Sequence, residues 1–180
     1  MRYLLFLLAF VIISSSQISI SSTVERPPKE YPNLAKRDYN YIWQNKKALF
    51  GFSLNNTAKL FISKNEIYRY LKLKFRNFIK SYEFIDSNEQ FYKDIHNWMT
   101  IDLDLSKYND KLNIYFGLIS FKLKSLYDPP FTRPKLYELT FAIAGSQEQI
   151  RTVIKGYIDL IVEVFAEDYY MIGDLNKKNN

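Results

Sequence analysis

The sequence predicts an α+β fold, a two-layer sandwich in which a mostly antiparallel sheet of about four strands packs against two long helices in the order β-α-β-β-β-α. Three observations carry that expectation. Residues 64–85 and 147–172 repeat apolar side chains every three or four positions, the stripe of a helix buried along one side. Four other runs alternate apolar and polar residues, as a half-buried strand does. The 180 residues are 47% hydrophobic and include 15 Tyr, 14 Phe and 2 Trp, enough for one core, with no Cys to staple it.

Residues 1–21 read as a cleaved signal peptide. Arg2 precedes an apolar run over 4–13, and Ser19 and Ser21 occupy the −3 and −1 places for cleavage before Ser22. A membrane-spanning helix needs about 20 consecutive apolar residues, roughly twice that run. Cleavage removes only Arg2 among charged residues and lowers the formal net charge of +6 by one. The protein is therefore expected to be secreted or periplasmic. It is not expected to be a lipoprotein, since it has no Cys to carry the lipid.

Residues 22–45 hold Pro27, Pro28 and Pro32 among charged side chains, the composition of an extended linker whose Tyr39, Tyr41 and Trp43 tack its end onto the domain. The single domain spans 46–173. It opens on a strand with Ala48, Phe50, Phe52 and Leu54 on one side. Ser63-Lys64-Asn65-Glu66 is a capping box for a helix with the stripe Ile67, Leu71, Phe75, Phe78, Tyr82 and Ile85.

Met99, Ile101, Leu103 and Leu105 oppose Thr100, Asp102 and Asp104 in the clearest two-faced strand, and Lys107 to Lys111 reads as its turn. The strand over 112–126 changes buried parity near Gly117, which predicts a bulge there. Pro129, Pro130 and Pro134 require a loop, and Tyr137, Leu139, Phe141 and Ile143 form the next strand. Ser146 and Gln149 are placed as a second capping box, the last helix carries Ile150, Ile154, Ile158, Ile161 and Phe165 inward, and Gly173 is its expected stop. Residues 174–180 are expected to form a disordered polar tail.

Motifs for chemistry are sparse. Asp102 and Asp104 share one side of a strand about 7 Å apart, the arrangement of a weak cation site, and they begin like a calcium loop. The pattern then fails at Lys107, where glycine is needed, and at Asn113, where a bidentate Glu is needed. His96 is the one imidazole, and no Gly-x-Ser-x-Gly turn presents a nucleophile to it. The five Gly form no phosphate-cradling loop. No catalytic residue and no cofactor is predicted. Asn55-Asn56-Thr57 is a glycosylation sequon that matters only in a eukaryotic host.

Charge is more informative. Residues 64–85 carry Lys64, Arg69, Lys72, Lys74, Arg76 and Lys80 against Glu66 and Glu83, while Glu163, Glu167 and Asp168 are assigned to an exposed acidic face of the last helix. Lys72, Arg76 and Lys80 follow at four-residue spacing with Arg69 beside them, a basic ridge. The two helices could simply attract each other, or the ridge could bind an anionic surface. The functional expectation is an exported, non-enzymatic binding or accessory protein using Arg69, Lys72, Arg76 and Lys80 on a protein partner or an anionic membrane surface. Nucleic acid is disfavoured by the exported leader. The alternatives are a carrier of a small apolar ligand between sheet and helices, and a weak hydrolase built on Asp102, Asp104 and His96.

Overall fold

The period-two runs become strands and the period-3.6 stripes become helices in the computed structural model, which describes residues 25–44, 46–86, 97–109, 111–125 and 136–178. The leader, the beginning of the linker, His96 and the loop of Pro129, Pro130 and Pro134 lie outside the described residues. The elements are α1 (Pro32–Gln44), β1 (Lys47–Leu54), a 3-10 turn (Ala58–Leu60), α2 (Lys64–Phe78), β2 (Glu83–Asp86), β3 (Asn97–Asn109), β4 (Ile114–Ser125), β5 (Leu136–Ser146) and α3 (Ile150–Lys177).

The fold is α+β. The five strands lie in the order β2-β1-β3-β4-β5. β3, β4 and β5 form the expected antiparallel meander. β1 runs parallel to both of its neighbours, which makes the sheet mixed. That follows from connectivity: a helix between two strands of one sheet returns the chain to the end where it started, so β1-α2-β2 is a parallel crossover. One sheet face supplies Ala48, Phe50 and Leu54, then Met99, Ile101, Leu103 and Leu105, then Ile119, Phe121 and Leu123, then Tyr137, Leu139 and Ile143. Ile67, Leu71 and Phe75 of α2 and the Ile-rich stripe of α3 close over it. Phe165 is the hub, with ring centroids 5.4 Å from Phe121, 5.6 Å from Phe75 and 5.3 Å from Tyr137.

Several expectations are corrected. Residues 32–44 are helical, not an extended linker: Pro32 sits at the first helical position, where its missing N–H costs nothing, and the Ala35 N–H donates to Tyr31 O at 2.9 Å. α2 ends at Phe78, and its supposed last turn is instead a bend followed by β2, with Ile79 and Tyr82 buried and Phe78 38% exposed. β4 keeps one parity throughout, burying Tyr115 and exposing Phe116. The bulge lies in β3 between Lys107 and Asn109, so the turn comes later and uses Asn113 at φ 47°, a conformation that Asn tolerates. The second capping box does not form, because Ser146 donates to the Gln149 side chain and leaves the helix N–H groups alone.

Gly173 does not stop α3, which continues to Lys177 into the expected tail. Its role is steric. The Trp43 ring of α1 packs on Tyr169 with centroids 4.8 Å apart, and a Cβ on Gly173 would stand 2.5 Å from that ring. Asn176 completes the α1–α3 contact by donating to Asn40 at 2.8 Å.

Asp168 is also corrected, from an exposed to a fully buried residue. Arg26 donates to both of its carboxylate oxygens, Nε at 2.7 Å and Nη2 at 2.8 Å, and the Tyr137 hydroxyl donates at 2.9 Å. Burial beside that carboxylate pushes the Tyr137 phenol well above its ordinary range. One residue earlier, Glu25 exchanges both backbone hydrogen bonds with Glu138 of β5, each at 3.1 Å. Breaking a buried pair strands a charge and costs about 3–5 kcal/mol, whereas replacing both partners with apolar groups is often close to neutral. Urea unfolding should therefore show Arg26→Met destabilised by about 3–5 kcal/mol and the Arg26→Met, Asp168→Leu double variant losing markedly less.

Candidate functional site

α2 carries cations on two sides, and the structure assigns each side a different task. Toward α3, Glu66 receives Arg151 at 2.7 Å and Lys155 at 2.9 Å. Lys74 pairs with Asp159 at 2.9 Å, and the Tyr70 hydroxyl donates to the same carboxylate at 2.9 Å. Hydrogen bonds from Lys155 and Arg151 hold the Glu66 carboxyl below its usual range, and the bond to Asp159 raises the Lys74 ammonium. The expected attraction between a basic and an acidic helix exists, and these residues satisfy it. Ser63 still caps α2 by accepting the Glu66 N–H at 3.1 Å.

The predicted ridge lies on the other side. Arg69, Lys72, Arg76 and Lys80 are all exposed, and none forms an ion pair with another described residue. The structure separates them into two groups. Lys72, Arg76 and Lys80 line a cleft of about 490 Å³ whose other wall is Ser81, Tyr82, Glu83, Phe84 and Ile85. Arg69 belongs instead to a hollow with Ser63, Asn65, Glu66, Tyr70 and Leu73. Phe84 anchors the cleft floor, its ring 4.7 Å from Phe75 and 5.3 Å from Phe50. Glu83 is the acid on that wall, and Lys47 lies 3.7 Å from it. Tyr82 and Ile85 fit the helical stripe, so the sequence alone extends α2 through this wall. The signal that could have found it is the β-prone run Tyr82-Glu83-Phe84-Ile85 just before a polar break.

The carboxylates of the weak cation site are engaged elsewhere. Asp102 takes Lys122 at 3.1 Å, and Asp104 accepts from the Asn55 amide. No group of three or more metal-ligating side chains occurs among the described residues. Asn55 is a structural residue: its amide nitrogen also donates to Leu105 O at 2.7 Å, and its oxygen accepts the Ala58 N–H at 2.8 Å. A glycan on that nitrogen would replace one of its two N–H groups and so displace one of these acceptors. The space between sheet and helices is occupied by Phe75, Phe121, Phe165, Tyr137 and Tyr169, all 1% exposed or less, and the cleft and the Arg69 hollow lie outside it.

No protein-family model matches the chain, and no curated protein matches it. Among solved structures it is similar to a putative neuraminyllactose-binding hemagglutinin homolog from Helicobacter pylori, with TM-score 0.45 and 12% identity over 74% of this chain and 88% of that one. It is also similar to a PelC variant dodecamer from Paraburkholderia phytofirmans, with TM-score 0.43 and 8% identity over 71% and 87%. A third is the rare lipoprotein B of Shewanella oneidensis, with TM-score 0.37 and 8% identity over 72% and 98%. No helix among the described residues is long and apolar enough to cross a membrane.

The Glu66 cluster gives the α2–α3 contact a pH dependence. A carboxyl whose folded pKa is depressed stabilises the fold above its unfolded value, 4.5 for Glu, and loses that contribution as pH falls through the folded value. Because Arg151 is 57% exposed, the effect is small, about 0.5–1 kcal/mol. Urea unfolding of Glu66→Gln should fall below the wild type at neutral pH, with the gap closing as pH drops below 4.5 and through the depressed folded value.

Proposed function

We propose that the chain is an exported protein that works by binding, and that the cleft between α2 and β2 receives an anionic partner. The observation that carries this reading is the division of labour on α2: Lys74 is consumed by Asp159, whereas Lys72, Arg76 and Lys80 converge on an open cleft without a described acidic partner. Three like charges held close together repel one another, and a fold that keeps them so gains most when an anion neutralises them. A non-enzymatic role is supported by the engagement of Asp102 and Asp104 and by a sequence with one His, no Cys and no phosphate loop.

Export rests on the leader. Cleavage before Ser22 leaves Glu25 and Arg26 in the mature chain, so processing keeps the Arg26–Asp168 pair. Intact-mass measurement of protein expressed with its leader in a secreting host should give a mature chain that begins at Ser22.

Chromatography on heparin, used as a generic polyanion, tests the cleft. K72E/R76E/K80E should elute at clearly lower salt than the wild type, with affinity at low ionic strength down about tenfold or more, since each exposed ion pair contributes up to about 1 kcal/mol. The control K111E/K124E/K178E makes the same charge change at exposed sites elsewhere and should elute close to the wild type. Equal elution of the two variants overturns the reading.

A further inference from the structure

β2 is an edge strand: it pairs with β1 on one side, and no described strand lies on the other. The Glu83 N–H donates inward to Lys46 O at 2.7 Å. Alternation along a strand then turns the backbone N–H and C=O groups of Phe84 and Asp86 toward the outer edge. That edge is also the wall of the cleft, because Glu83, Phe84 and Ile85 line it together with Lys72, Arg76 and Lys80. The cleft therefore offers backbone hydrogen-bonding groups and side-chain cations to one occupant.

We propose that the outer edge of β2 is a strand-addition site for an extended acidic segment of a partner protein. The inference rests on the anionic reading of the cleft and adds the partner's conformation. A strand laid beside β2 points alternate side chains to the helix-covered side of the sheet, about 7 Å apart. Lys72 and Arg76, four residues apart on α2, are displaced by about 6 Å along the helix axis. Acidic residues at every second position of the incoming strand thus meet successive cations, while its main chain completes the ladder that Phe84 and Asp86 leave open. Lys47 already occupies Glu83, so the acid on the wall does not oppose the ligand's charge in full. A flat bilayer could take up the cations, but it offers no N–H or C=O row to the strand edge. The observations therefore favour a peptide.

The test uses the full mature chain and four probes: a short peptide alternating Glu and Val, the same peptide N-methylated at alternate residues, its Lys–Val counterpart, and phosphatidylglycerol vesicles. The Glu–Val peptide is expected to bind, to weaken about tenfold or more when the N–H groups facing β2 are methylated, through loss of about two ladder hydrogen bonds, and to protect the Phe84 amide from hydrogen exchange. K72Q/R76Q/K80Q should weaken it with unchanged circular dichroism, and the Lys–Val peptide should not bind. Equal affinity for the N-methylated peptide overturns strand addition while leaving an anion-binding cleft. Binding to vesicles without binding to the peptide overturns the partner class in the same way. Failure of every anionic probe overturns the reading of the cleft itself.

Discussion

The constraint on which much of the fold depends is the buried carboxylate of Asp168. A carboxylate in an apolar layer is tolerated only where its charge is matched and its oxygens are hydrogen-bonded. Here the matching group is not on a neighbouring helix turn but 142 residues away in sequence, at Arg26. Satisfying Asp168 therefore draws the segment before α1 across the edge of β5, where Glu25 adds one rung to the ladder, and the Tyr137 hydroxyl ties the same carboxylate to the sheet. With that end fixed, α1 has a short path to its seat on α3, and the Trp43 ring finds the notch at Gly173. One sheet edge is covered by the molecule's own chain in this way. The opposite edge, β2, has no described strand beside it.

α3 organises the helical layer in two halves. Its C-terminal half receives α1 through Tyr169, Gly173 and Asn176, and its N-terminal half receives α2 through Arg151, Lys155 and Asp159. The second contact sets the rotation of α2 about its own axis. Ile67, Leu71 and Phe75 must face the sheet, and Glu66, Tyr70 and Lys74 must face α3. Lys72 and Arg76 are left on the side facing β2. Packing on two sides thus aims the third.

What could be read from the sequence follows physical locality. The strands that alternate cleanly, such as Met99 to Leu105, and the helices with unbroken stripes were legible because each signals its buried side with its own residues. The ridge Lys72, Arg76 and Lys80 was legible for the same reason. The Asp168 pair was not, since an acid within an amphipathic helix looks solvent-facing until its distant cation is known. Its place four residues before Ile172 and three after Phe165 was the available hint. α1 was hidden by prolines that precede the helix or open it and do not interrupt it. β2 was hidden because four residues give too few periods to distinguish alternation from the end of a stripe, so the cleft's second wall showed only as the β-prone run Tyr82 to Ile85.

A cationic flank on an edge strand has a further physical consequence. Exposed strand edges pair with one another unless something prevents it, and positive charge along the edge is a common deterrent. Two copies of β2 approaching edge to edge would bring Lys72, Arg76 and Lys80 of each against the same residues of the other. The repulsion is felt only by a partner of like charge. On the proposed reading, the same side chains that repel a second copy of the edge would admit an acidic strand, so protection against self-association and selection of a ligand would follow from one charge pattern. Neither requires a lid over the strand, and neither requires β2 to be longer than its four residues.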